Sequence, residues 1–166
     1  MDEVAMKMAI KRLAQEILST NAKLSDLVLV GIKTRGEFLA KRLSYYIKLL
    51  NNSNVPYCSL DISYYRDDID NRNLTPVQPA LSFTNKNIIL VDDVLYSGRS
   101  IRAALAAVFA TGRPKNIQLA VLIDRGHREL PFKADYIGKN IPTTKDQWVS
   151  VKMKEYDGED RVYLKE

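Results

Sequence analysis

Asp92 and Asp93 stand side by side, directly after the apolar run Ile88–Val91 and just before Leu95, Tyr96, Ser97, Gly98, Arg99 and Ser100. Two carboxylates at the end of a β-branched run accept hydrogen bonds from vicinal hydroxyls and repel phosphate. Gly98 lets the backbone approach a phosphate, Ser97 and Ser100 offer hydroxyls, and the amides opening a helix over Ile101–Phe109 favour an anion. A diol at the acids and a phosphate at the loop together describe a ribose 5-phosphate. The same residues would also serve as a plain turn, with the acids solvated and Ser97-Gly98 as turn formers. Their order favours the pocket, because strand, acids, small-residue loop and helix follow one another as one ligand needs them.

A second loop has complementary chemistry. Lys33, Thr34, Arg35 and Gly36 follow the apolar strand Asp26–Ile32, and Gly31 and Gly36 bracket two cations. Backbone amides plus Arg35 can wrap a pyrophosphate there. Taken alone, the loop reads better as an ordinary connection between a strand and a helix.

These loops need elements to hold them. Val4–Thr20 reads as an amphipathic helix with Val4, Met8, Leu13 and Ile17 on or near one face and Lys7, Lys11 and Arg12 off it. A helix is expected over Glu37–Leu50, strands over Tyr57–Ser63 and Asn116–Ile123, and two short strands within Val149–Leu164. Strands separated by helices predict a parallel α/β sheet with ligands at its carboxyl edge. The polar stretch Tyr64–Asn85 is long for a structureless connection and suits a lid, a hairpin or a solvated loop. Its Tyr65–Asp68 cluster carries groups suited to phosphate and magnesium.

Size and charge bound the rest. The 166 residues fit one domain, 1–166, with a core large enough to need no disulfide. A balance of 25 Lys+Arg to 20 Asp+Glu, a net +5, suits an anionic ligand and permits nucleic acid. One cysteine, Cys58, excludes a disulfide framework and is read as a small buried hydrophobe. No signal peptide or long apolar span is read, so a cytoplasmic protein away from membranes is expected.

The run Ile88–Ser100 resembles the phosphoribosyl-pyrophosphate (PRPP) signature of type I phosphoribosyltransferases, and Gly31–Gly36 resembles their pyrophosphate loop. With Leu122–Pro131 and Ala134–Pro142 added, the chain resembles the PyrR family, bifunctional pyrimidine operon regulators and uracil phosphoribosyltransferases. The resemblance implies the type I fold: a mainly parallel twisted sheet flanked by helices, a flexible lid at about 64–85 and a small hood at about 133–166. It implies conversion of uracil and PRPP to UMP and pyrophosphate with Mg²⁺, and UMP-dependent binding of pyrimidine operon leader RNA by a homo-oligomer, a dimer or higher.

Residue by residue, the resemblance places ribose on Asp92 and Asp93, which with Arg35 form the catalytic set. The two acids reach Mg²⁺ mostly through PRPP. It places the 5-phosphate on Leu95–Ser100 and pyrophosphate on Lys33, Thr34, Arg35 and Gly36, with Arg125 near the nucleotide. The base falls under Lys139–Ile141, its edge read by main-chain groups of Ile137 and Val149. Trp148 is expected either to stack on the base or simply to pack at a strand start. Tyr96 stands where purine enzymes of this class carry an acid, which favours uracil over a purine; purine or orotate specificity is the alternative. The candidate RNA surface is Lys11, Arg12, Arg125, Arg128, Lys139 and Lys145, residues that would otherwise form a solvated face. Gln15 and Lys11 depart from the histidine and threonine of better-known members, and the lid is shorter. The lone His127 has no nucleophile beside it in the sequence and is read as part of an anion- or RNA-facing loop.

Overall fold

The computed structural model describes residues 1–166. Helix α1 (Glu3–Thr20) opens at Asp2, whose carboxylate accepts from Ala5 N at 2.8 Å. It buries Met6, Ile10, Leu13 and Ile17, the spacing of one helical face. Val4 and Met8, expected on that face, are exposed. At about 100° per residue they lie well round the helix from Leu13, so the stripe through Met6 and Ile10 is the inner one.

Five parallel strands form the main sheet: β1 (Leu27–Ile32), β2 (Tyr57–Leu60), β3 (Asn87–Leu95), β4 (Asn116–Asp124) and β5 (Tyr136–Asn140), in the order β2-β1-β3-β4-β5. The central strands are buried on both faces, which explains their unbroken Val/Ile/Leu runs. On one face, Ile89, Val91 and Leu122 pack with α1 and with Leu39, Leu43 and Ile47 of α2 (Arg35–Asn51). On the other, Val30, Leu90 and Val121 pack with Ile101, Ala104 and Val108 of α3 (Arg99–Thr111). Strand order reverses between β1 and β3, so a crevice opens at their carboxyl ends, below the two loops singled out from the sequence. A separate antiparallel pair, β6 (Trp148–Lys152) and β7 (Arg161–Lys165), is joined through the single turn α4 (Lys154–Asp157).

Boundaries differ from expectation where backbone pairing decides them. β3 continues through the acidic pair to Leu95, because Asp92 pairs with Val121 and Val94 with Ile123. β2 ends at Leu60, where the Asp61 carboxylate accepts Ser63 N at 3.0 Å and turns the chain into a short 3₁₀ segment, Ser63–Tyr65. α2 begins at Arg35, two residues early. Tyr136–Asn140, grouped with the hood from the sequence, is the edge strand of the main sheet. No helix is long and apolar enough to cross a membrane.

Candidate active site

Gly36 fixes how close the first loop comes to β3. A Cβ there would lie 2.4 Å from Val91 O, so only glycine lets the opening of α2 rest against the strand that carries the acids. The result is a cleft of about 420 Å³ lined by Lys33, Thr34, Arg35, Asp61, Ser63, Arg66, Asp92, Asp93 and Ser100, among others. The Lys33–Thr34 peptide in its wall is cis. A second recess of about 410 Å³ is lined by Leu95–Ser100 with Asp68 and Glu129, and it shares Asp92, Val94 and Ser100 with the first. The two are halves of one trough along the carboxyl edge of the sheet.

Asp92 is buried and accepts from Asp93 N at 2.9 Å, while Asp93 accepts from Val94 N at 2.9 Å. Burial first, and the neighbouring Asp93 second, push the Asp92 carboxyl well above the usual carboxylate range. Neither carboxylate forms an ion pair within the chain. Such a site is relieved by hydrogen-bond donors, and the vicinal hydroxyls of a sugar are donors of the right kind.

The following loop is braced from behind. Ser97 O accepts from Glu129 N at 2.9 Å and Leu130 N at 3.0 Å. Arg128 donates to Tyr96 O and Phe132 O, both at 2.9 Å, and pairs with Asp124. Gly98 turns into α3 at φ 93°, a left-handed conformation, with the Phe132 ring 2.9 Å from where a Cβ would stand. The first-turn amides of α3 therefore open toward the recess on a backbone that does not have to reorganise. At its mouth, Arg99 pairs with Glu129 at 2.9 Å and Asp67 at 3.2 Å, and Arg102 donates to Tyr65 O, tying the start of the polar stretch to α3.

Arg125 is buried. Its guanidinium lies 4.1 Å from the Tyr96 ring centroid and donates to Thr143 Oγ1 and the carbonyls of Thr144 and Gln147. Its role here is to join the end of β3 to the segment entering β6. Arg125 and Arg128 thus direct most of their hydrogen bonds to groups within the molecule. His127 adopts φ 61° and its ring meets Thr143 O, with no nucleophile at hand.

The structure does not gather every residue singled out from the sequence. Ile137, Trp148 and Val149 line neither half of the trough. Trp148 is exposed, its ring 5.6 Å from the Lys165 ammonium, and Val149 packs against the α1/α2 core. Lys11, Arg12 and Lys139 share a groove of about 630 Å³ with Met8, Gln15 and Gly138. Arg12 also pairs with Glu16 and donates to the carbonyls of Ile137 and Gly138, so it stitches α1 to β5. Lys145 is exposed elsewhere, before β6.

Asp61 and Ser63 were missed from the sequence. They sit at the carboxyl end of β2, and the rule that finds Asp92 at the end of β3 would have found them had the strand end been placed correctly. Asp61, held below its ordinary range chiefly by the Ser63 amide, shares the cleft with Asp92, Asp93, Lys33, Arg35 and Arg66. No three acidic, histidine or cysteine side chains converge into a metal cage. Mixed acids and cations on one wall fit a magnesium ion that arrives on a ligand's phosphates and takes one or two carboxylates.

Known proteins resemble this chain in sequence and in fold. Residues 2–157 match the phosphoribosyl transferase domain family. The bifunctional protein PyrR of Enterococcus faecalis is 51% identical over 98% of this chain and 93% of its own. The pyrimidine operon regulatory protein of Lactococcus lactis is 49% identical over 99% and 94%. Among solved structures, a hypoxanthine-guanine phosphoribosyltransferase from Bacillus anthracis superposes with a TM-score of 0.72 over 90% of this chain and 84% of its own, at 22% identity, a likeness of fold.

Proposed function

The chain belongs to the phosphoribosyl transferase domain family, among its PyrR members, and from that premise we propose that it transfers phosphoribose from PRPP to uracil, giving UMP and pyrophosphate. The observation that carries the reading is the layout of the trough. Cationic Lys33 and Arg35 lie at one end, the acidic pair Asp92 and Asp93 in the middle, and the Ser97–Ser100 loop at the other. PRPP has the same order: diphosphate, ribose diol, 5-phosphate.

Each part of the chain then has one task. Asp92 and Asp93 accept hydrogen bonds from the ribose hydroxyls and stabilise positive charge at the anomeric carbon as the diphosphate departs. Arg35 and Lys33 neutralise the leaving group, and the α3 amides with Ser97 and Ser100 hold the 5-phosphate still. Asp93, Asp92 and Asp61 are the residues that would hold a magnesium ion, which would supply further neutralisation of the leaving group's charge. The segment 64–85 would cover the trough as a lid and keep water from PRPP, a reading supported by the ties of Asp67 and Tyr65 to the start of α3. Residues beyond β5 form the hood, with Trp148 and the Val149 main chain meeting the base after the lid and hood close.

Tyr96 supports uracil rather than a purine, since its ring is held under Arg125 and supplies no carboxylate beside the base. Regulation belongs to the same reading: the groove of Lys11 and Lys139 offers cations to leader RNA, and Arg12 links that groove to β5. A cytoplasmic homo-oligomer suits both roles. Incubation with PRPP, magnesium and each of uracil, hypoxanthine, guanine and orotate tests the enzyme. Titration of pyrimidine operon leader RNA against a scrambled hairpin, with and without UMP, tests the regulator; equal UMP-independent binding would remove it.

A further inference from the structure

Arg35 reaches the trough from the first turn of α2, and a forked ion pair holds it from outside. Its Nε donates to Asp157 Oδ2 at 3.0 Å and its Nη2 to Asp157 Oδ1 at 2.8 Å. Asp157, at the end of α4, has a side chain only 9% exposed and lines neither half of the trough. Met153 N donates to the same Oδ2 at 2.8 Å, so the carboxylate is itself fixed. The Tyr156 ring centroid lies 5.3 Å from the guanidinium, and Lys152 Nζ stands 3.5 Å from Oδ1. Of the three guanidinium nitrogens, Nη1 alone has no partner within the chain.

We propose that Asp157 is a positioning residue for the anion site: it locks the Arg35 guanidinium so that its free Nη1 group faces the diphosphate of the substrate. The inference rests on reading that end of the trough as the diphosphate site. A free arginine at a helix start would spread over many rotamers and would have to be ordered by the ligand. A planar fork held on two nitrogens is ordered in advance. The pair is not needed merely to attach the α4 turn. Two helical turns further along α2, Arg42 makes the same attachment by forking both Glu155 and Asp160. Asp157 stays charged throughout the working range, since Arg35 and Met153 N hold its carboxyl down at about 2.

The test is a double-mutant cycle of Arg35→Ala and Asp157→Ala in the full chain. It is read by calorimetric binding of magnesium pyrophosphate and, separately, by the KM values for PRPP and uracil. Asp157→Ala is expected to weaken pyrophosphate binding and raise the KM for PRPP by about tenfold, the loss of one charge-assisted contact. The KM for uracil is expected to stay within about twofold. Asp157→Glu, which keeps the charge, is expected to recover part of the loss. In the Arg35→Ala background, Asp157→Ala should change pyrophosphate affinity by no more than about twofold. An equal loss in both backgrounds would show that Asp157 acts through the fold and overturn the proposal. So would unchanged pyrophosphate binding in Asp157→Ala, or pyrophosphate binding that does not depend on Arg35. Pyrophosphate binding without any turnover of uracil would refute the assignment of the base and leave this cycle decisive.

Discussion

Asp92 is buried beside Asp93 with no cation bonded to either carboxylate, whereas Glu155, Asp157 and Asp160 around the α4 turn are each held by an arginine of α2. The same residue types are shifted in opposite directions. Asp92 is pushed up, mainly by burial and then by Asp93. Asp157 is held down at about 2, mainly by its hydrogen bonds from Arg35, and Asp160 and Glu155 are also lowered as Arg42 overcomes the effect of burial. Charge that the chain satisfies internally fixes shape; charge that it leaves unsatisfied at a cleft awaits a ligand. Breaking each cluster is therefore expected to give opposite results.

The largest effect is expected at the acidic pair. Asp92→Asn or Asp93→Asn should each cut kcat/KM for PRPP by about 10–150-fold, the loss of one charged hydrogen bond. Stability should move the other way for Asp92→Asn. A carboxyl whose folded pKa is raised loses its stabilising contribution as pH climbs through that value, so ionised Asp92 costs stability at the alkaline end of the range. An amide there still accepts from Asp93 N and carries no charge. Tm measured at pH 8 should rise by about 2–4 °C for each kcal/mol recovered. A mutant both inactive and less stable at pH 8 would contradict the contrast.

At the clamp the signs reverse. Arg42→Ala leaves Glu155 and Asp160 without their cation and is expected to cost about 1–3 kcal/mol, read as a lower Tm. Activity at a temperature where the mutant remains folded should fall far less than in the acidic-pair mutants. An unchanged Tm would show that the ion pairs are ornaments of the surface.

How much of this contrast was legible in the sequence follows from chain separation. Asp92, Asp93 and Gly98 are contiguous with a buried strand and a helix start, so strand, turn and anion site could be read together. Arg35 was found by its glycine-bracketed loop, but its partner Asp157 is over a hundred residues away on the single helical turn α4, and only the folded chain joins them. The inner face of α1 was misplaced because Val4 and Met8 are as apolar as Met6 and Ile10, and composition does not say which stripe meets α2. β5 was missed as a strand because Tyr136–Asn140 is short, carries a glycine and ends in Lys139 and Asn140. Gly138 is there because a Cβ would come 2.5 Å from Leu122 O on β4, a tertiary reason invisible locally. Arg125 and Arg128 looked like surface cations; many of their partners are backbone carbonyls of Tyr96, Phe132, Thr144 and Gln147, which no sequence pattern marks.

A smaller effect concerns pH. Since the folded Asp157 titrates at about 2, below its unfolded value, its contribution to stability is complete above about pH 4. It should fade as pH falls from about 4 to 2. Wild-type Tm should drop more steeply across that window than that of Asp157→Asn, and parallel curves would sink the claim. Smallest of all is the expected signal from Trp148, exposed beside Lys165. If the hood closes this ring onto the base, saturating UMP should quench the fluorescence of the only tryptophan, and Trp148→Ala should raise the KM for uracil while leaving that for PRPP alone. An unchanged emission at saturation would leave Trp148 outside the base site.

The most direct measurement of the central claim is product analysis with purified protein, magnesium and PRPP against uracil, hypoxanthine, guanine and orotate in separate reactions. Uracil is expected to give UMP and pyrophosphate in equal amounts, with the purines and orotate turned over far more slowly, and Asp92→Asn is expected to abolish most of that turnover. A purine or orotate used as fast as uracil, or UMP formation undiminished in Asp92→Asn, would contradict the account.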